Sequence, residues 1–162
     1  MKKETNLKRL LGFAGKYKYF TIASWFLSAL SALVTLVPFW YIWKIILEVF
    51  EVSHDFSDAE NLVHNGWMAV IFAFAAVLIY IAALMCSHVA AFRIASNVRI
   101  KTMKHIVSLP LGFAESFGSG KLRKIVNESS AATETYLAHQ FPDKANAIAT
   151  PIGLLILLLA FE

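Results

Sequence analysis

The chain has 162 residues, of which 58% are hydrophobic and 16% charged, with a formal net charge of +4. Soluble domains average roughly 45–50% apolar and 25% charged residues, so this composition excludes an ordinary soluble enzyme and indicates a membrane protein. The single cysteine, Cys86, excludes an intramolecular disulfide and a cysteine-based zinc site, and within its apolar run it reads as a buried thiol.

In residues 1–18, Leu7, Leu10, Leu11 and Ala14 share one helical face and Lys2, Arg9 and Lys16 lie nearly opposite. This is the pattern of a basic amphipathic helix lying along a membrane surface, with a soluble basic tail as the plainer alternative. Residues 19–50 are almost continuously apolar, enough for a first spanning helix, and too long for a signal-peptide core, so the stretch is expected to be retained. Pro38 predicts a kink in that span. Trp40, Tyr41 and Trp43 fit either an interfacial aromatic belt or the wall of a cavity. Lys44 lies near enough to the end of the span to snorkel; the sharper reading has it meeting an anionic substrate.

Residues 51–65 carry Glu51, Asp55, Asp58 and Glu60 and no lysine or arginine, as expected of an extracytoplasmic loop. Its histidines, His54 and His64, match no familiar metal spacing and read as solvated. Trp67–Phe92 forms the second span (residues 67–92), with Ala73, Ala75, Ala76, Ala82 and Ala83 available for close helix approach. Beyond it come Arg93, Arg99, Lys101 and Lys104. Through them Phe92, Ala95, Val98, Met103, Ile106 and Val107 carry an apolar stripe on to Ser108, so the helix is expected to continue past the bilayer.

The stretch Ser108–Arg123, SLPLGFAESFGSGKLR, is the turn around which the chain is organised. Pro110 disfavours helical geometry at Leu109 and suits a first helical turn, so one helix should stop near Ser108 and a short one start at Pro110, with Gly118 and Gly120 bracketing the next reversal. Leu111, Phe113, Ala114 and Phe117 cluster on a piece too short to bury its own apolar face, which calls for a partner surface. Lys121–Phe141 is the returning limb, with Leu122, Ile125, Val126, Thr133, Leu137 and Phe141 as its stripe. Pro142 and Asp143 lead to a third span at residues 145–161, in which Pro151 is accommodated as a kink. Lysines and arginines precede the first span and crowd residues 93–142 but avoid 51–65. By the positive-inside rule the N-terminus and the 93–142 hairpin are cytoplasmic.

No catalytic or metal-ligating constellation is readable. The letters GSGK at Gly118–Lys121 lack the earlier glycine of a phosphate loop, where Glu115 stands, and the following Ser or Thr, where Leu122 stands. Glu128 and Glu134 fall on different helical faces, so paired acid–base work is unsupported. His88, His105 and His139 each read as isolated, packed or solvated imidazoles. The basic residues follow the cytoplasmic membrane side instead of forming one soluble patch, which argues against a nucleic-acid partner and for membrane lipids.

The order of features resembles the start of the transmembrane domain of exporter-type ABC transporters, in particular bacterial half-transporters. The resemblance is carried by an amphipathic elbow, two spans joined by a short outer loop, Arg99, the step Leu109–Leu111, Phe113 with Glu115, Ser119–Lys121 and the segment ETYLAHQFPD. It implies an all-α membrane protein: an elbow helix (1–18) and part of an ABC transmembrane domain (19–162), whose second and third transmembrane helices extend into the cytoplasm as a hairpin. It further implies that residues 110–118 form a coupling helix, with Pro110, Leu111, Phe113, Glu115 and Phe117 contacting a nucleotide-binding domain, fused downstream or separate. Pro38, Trp40, Trp43 and Lys44 become candidates for the translocation pathway. ATP and Mg would belong to the complete transporter and no cofactor to this chain; a homo- or heterodimer in the plasma membrane is expected. Spans four to six and the ATP-binding motifs are missing, so the chain is expected to be the front of a longer protein. The alternative is a stand-alone, non-catalytic three-span interaction partner. The segment LSALSALVTLVPFWYIWKII is similar to the siderophore-related members of the family.

Overall fold

A computed structural model of the chain describes residues 6–51 and 61–160, without the side chains of residues 6–9, 113 and 114. The loop residues His54, Asp55, Asp58 and Glu60 and the side chains of Leu7, Arg9, Phe113 and Ala114 therefore lie outside the described residues, as do Lys2 and Lys3. Among the described residues the regular elements are all helical: α1 (Asn6–Ala14), a 3-10 turn (Gly15–Tyr17), α2 (Lys18–Val34), α3 (Val37–Glu51), α4 (Leu62–Val107), α5 (Leu111–Phe117), α6 (Ser119–Thr135), a π turn (Tyr136–Gln140) and α7 (Phe141–Ala160). Three helical stretches, Leu10–Glu51, Leu62–Val107 and Ser119–Ala160, are long and apolar enough to cross a membrane. Their outward phenylalanines, among them Phe26, Phe39 and Phe74, are exposed, which in a bilayer places hydrocarbon against hydrocarbon.

The prolines account for the breaks. Pro38 has no N–H to return to the carbonyl of Val34, and the first span is accordingly two helices, α2 and α3, not one kinked rod. The join is tight: Leu36 N donates to the Leu33 carbonyl at 3.1 Å and Phe39 N to that of Leu36 at 3.1 Å. Pro38 itself sits in the first turn of α3, where the lost donor costs least. α4, by contrast, contains no proline and runs unbroken for 46 residues, more than twice the ~20 needed to cross a bilayer. It stops at Val107, as Pro110 predicts, with the Ser108 hydroxyl folded back on the His105 carbonyl at 2.7 Å.

The chain divides into two compact units, Met1–Trp25 with Leu84–Pro142 and Phe26–Ala83 with Asp143–Glu162. The first is built on small residues. Ala14, Ala90, Ala91, Ile94, Leu137 and Ala138 form its buried cluster, with Phe13, Val98 and Tyr136 packed against it. Ala14 is thus a core residue of this unit, so the apolar side of α1 is not given over wholly to a membrane surface. Asn97 Nδ2 donates to the Phe13 carbonyl at 3.0 Å, and two cations cover the elbow's rings, Lys101 over Phe13 at 4.7 Å and Arg93 over Tyr17 at 5.7 Å.

The π turn in this unit follows from Pro142, which is fully buried in the first turn of α7. Proline returns no hydrogen bond to the carbonyl four residues back, that of Ala138. Ser87 on α4 supplies a donor in its place: its hydroxyl, which shares its one proton with the Leu84 carbonyl of its own helix at 2.9 Å, reaches the Ala138 carbonyl at 2.9 Å. In the widened turn Phe141 N instead donates to Tyr136. Trp25 and Phe141 stack beside it with centroids 6.4 Å apart.

In the second unit Ser31 donates to the Ala76 carbonyl at 3.0 Å, so α2 and α4 meet through a hydroxyl and an alanine. Of the alanines expected to permit close approach, Ala76 and Ala83 are buried while Ala73 and Ala82 face outward. Gly153 makes a second close approach: a Cβ there would stand 2.5 Å from Leu36 Cδ1 and 2.9 Å from Leu33 Cδ2. Both are flexible side-chain ends, so Gly153→Ala should be accommodated, whereas Gly153→Leu should cost about 1–3 kcal/mol by overpacking. Ser87→Ala leaves the Ala138 carbonyl without its cross-helix donor and should lower stability by about 0.6–2 kcal/mol, while Ser96→Ala, at an exposed site, should change little. Unfolding of the detergent-solubilised protein by denaturant checks all four expectations.

Candidate functional site

The tip of the 93–142 hairpin is α5. It begins at Leu111, directly after Pro110, and ends at Phe117, so the expected short helix is present within a residue of its expected limits. Gly118 then turns the chain with φ 76° and ψ 138°, a conformation open essentially to glycine alone. Gly120 does not share that duty: it lies inside α6, and the reversal is made by one glycine, not two. Pro110, Leu111, Glu115 and Phe117 are all exposed, and the side chain of Phe113 lies outside the described residues. Leu111 is 77% exposed, and Val107, the last residue of α4, is 80% exposed. Val107 was read only as part of the helical stripe, yet it adds to the outward apolar patch; its place directly before the Ser108–Pro110 stop is the signal for that. Lys121 Nζ lies 4.8 Å from the centre of the Phe117 ring.

The same contact answers the phosphate-loop question. Lys121 is turned onto Phe117, the residues before Gly118 form a helix where a phosphate loop needs a strand, and Ser119–Lys121 open α6. These residues do not fit an ATP site. The groove between α4 and α6, of about 520 Å³, is lined by Arg99 and Arg123 beside Met103, Ile106, Leu122 and Val126.

The pathway candidates are brought together in part. Trp40 and Trp43 approach at 5.3 Å between centroids, and Lys44 Nζ stands 5.8 Å from the Trp40 ring and 5.9 Å from that of Tyr41. They nevertheless serve two different cavities. Trp40 lines an apolar cleft of about 300 Å³ with Leu33, Leu36, Val37, Gly153 and Ile156. Lys44 lines a polar cup of about 660 Å³ with Tyr41, Glu48, Glu51, Asn61, His64 and Asn65. Glu48 is held at the rim by accepting a hydrogen bond from Asn61 N at 2.8 Å. Pro38 lines neither cavity; it shapes the α2–α3 join. Tyr41, stacked on Phe72 at 5.8 Å, belongs to the lysine's surroundings more closely than its place in the aromatic run suggests.

One pairing is invisible in the sequence. His88 of α4 and His139 of the π turn, read separately as isolated imidazoles, meet edge to face with centroids 5.0 Å apart. Among the described residues no group of three or more His, Cys, Asp or Glu side chains could hold a metal ion.

A string of long apolar helices, with a proline-delimited short helix exposed between the second and third stretches, defines the class as a multi-pass membrane domain. Residues 21–162 match the family model of the ABC transporter transmembrane region, and the chain belongs to that family. It is 28% identical over 141 residues to the mycobactin import ATP-binding/permease protein IrtA of Mycobacterium tuberculosis, a match covering 87% of this chain and 16% of that protein. The protein of the same name from Mycolicibacterium thermoresistibile is 26% identical over 137 residues, covering 85% of this chain and 15% of the relative. The chain therefore spans about a sixth of the length of the curated relatives it matches.

Since Gly118 alone turns the hairpin tip, Gly118→Ala should strain it by about 1–3 kcal/mol. Amide exchange should then quicken in residues 111–122 first, whereas Gly120→Ala, in the first turn of α6, should slow it or leave it unchanged.

Proposed function

We propose that this chain forms part of the substrate pathway of an ATP-driven ABC transporter and couples it to a nucleotide-binding domain through α5. The observation that carries the reading is the apolar patch of Leu111 and Val107, 77% and 80% exposed on a stretch rich in lysine and arginine. A bilayer does not cover a patch flanked by so many charges, whereas a protein partner does. On this reading Pro110, Leu111, Phe113, Glu115 and Phe117 dock on the nucleotide-binding domain, and the hairpin and N-terminus lie in the cytoplasm. ATP and Mg are held by that partner domain, and the assembly is a dimer in the plasma membrane.

In mechanism, α5 moves with the domain it docks on, and the limbs α4 and α6 carry that motion to the spans. The patch must bind the partner differently in the two states for the equilibrium between inward-open and outward-open forms to shift. The relatives named for mycobactin import support a siderophore as the class of substrate. Trp40 offers such a ligand an apolar aromatic wall, and Lys44, close to the rings of Trp40 and Tyr41, offers a cation to an anionic chelate. A stand-alone three-span interaction protein draws no specific support from either cavity.

In the complete transporter reconstituted in proteoliposomes, Val107→Asp with Leu111→Asp should reduce substrate-stimulated ATP hydrolysis and transport on the order of tenfold without loss of folding, because neither side chain is buried. Parental coupling in that double variant would end the α5 reading. Lys44→Ala and Trp40→Ala should alter substrate selectivity or turnover; if both transport as the parent does, neither residue faces the pathway.

A further inference from the structure

We propose that His88 and His139 form a two-imidazole site for a borderline divalent metal ion such as Zn²⁺, bridging α4 and the π turn. The two rings come from positions 51 residues apart and stand at 81° with centroids 5.0 Å apart. A metal bound in the plane of an imidazole at about 2.0–2.1 Å lies about 3.2 Å from the ring centre, so two imidazoles on a tetrahedral ion have centroids about 5 Å apart. The observed separation matches that value, so bringing a nitrogen of each ring to one ion asks for rotation of the imidazoles about χ2, which leaves the ring centres nearly in place, and for no helix movement.

Two further observations support the site. Among the described residues neither imidazole has a hydrogen-bond or ion-pair partner; their other neighbour is the ring of Phe92, 5.9 Å from His88. Their nitrogens are therefore not committed elsewhere. The backbone beneath the pair is also pinned, because Ser87 and Ala138, the residues directly before each histidine, are joined by the 2.9 Å hydrogen bond. Pre-positioning of this sort removes much of the ordering cost of chelation. The neutral imidazole is a good ligand for zinc, copper and nickel and a poor one for magnesium, which demands oxygen. With no third side-chain ligand in the described residues, water completes the coordination and the affinity is lower than that of a closed structural site. The proposal does not depend on the transport reading.

The test is titration of ZnCl₂ into the full-length protein in detergent micelles, purified without a polyhistidine tag, by calorimetry, with MgCl₂ as control. One saturable equivalent of Zn²⁺ should disappear in both His88→Ala and His139→Ala and survive in His105→Ala, whose imidazole is elsewhere on α4. Loss of either ligand should weaken binding by more than the roughly 10–100-fold typical of losing an outer-shell partner. His139 is exposed, so its variant should fold. Co²⁺ substitution should give the visible spectrum of a tetrahedral ion in the parent and not in the His139→Ala variant. Absence of saturable Zn²⁺ binding, or binding that is unchanged in both variants, would overturn the site and leave the pair as aromatic packing.

Discussion

The Ala138 carbonyl is the point on which the first unit turns. Pro142 withdraws its normal donor, burial denies it water, and an unmet carbonyl in such surroundings costs about 1–3 kcal/mol. The hydroxyl of Ser87 meets the need from another helix, at 2.9 Å. That bond joins α4 to the returning limb at the place where a proline interrupts the helical ladder, beside the cluster in which Ala90, Ala91 and Ile94 pack with Leu137 and Ala138. The π turn and the histidine pair are consequences of the same accommodation.

Hydroxyls and small side chains hold the helices together more generally because apolar burial supplies little drive between helices already solvated by lipid. Thr21, Ser24, Ser28 and Ser31 are all buried along α2 at spacings of three and four, one face of the helix. Ser24 returns its proton to the Thr21 carbonyl at 2.8 Å, and Ser31 crosses to Ala76. Thr21 Oγ1, by contrast, has no hydrogen-bond partner among the described residues, so the stripe serves close approach as much as bonding. Apart from Leu36, Ile94 and Leu137, the isoleucines and leucines among the described residues, which would dominate a soluble core, are half-buried or exposed.

Charge and apolar exposure then divide the chain by role. Where Arg93, Lys101 and Lys121 lie over the rings of Tyr17, Phe13 and Phe117, the cations cover aromatic faces that would otherwise meet water. Val107 and Leu111 have no such cover. Among the described residues the contrast leaves Val107 and Leu111 as the apolar side chains at the hairpin tip without a cation over them, while Phe117 stays partly exposed beside Lys121. Trp40 and Lys44, four residues apart and in contact, likewise separate an apolar cleft from a polar cup.

By itself the sequence determined the helical class, the three apolar stretches, the stop at Pro110 and the short helix between the limbs, whereas at Pro38 it predicted a kink where the structure has a full break. Each of these depends on local chemistry: hydrophobic length, a missing N–H, a run of basic residues. The ABC-type membrane domain was legible in another way, through a family resemblance carried by the order of elements and short motifs along the chain. Only the tertiary structure decided that Ala14 is a core residue, that Gly118 alone makes the reversal, that Ser31 and Ser87 are cross-helix donors, and that His88 meets His139. Those outcomes depend on which faces of separate helices meet. Helical periodicity places a serine or a histidine on a face of its own helix, but the partner of that face is chosen by close packing and by the unmet carbonyls of prolines many residues away.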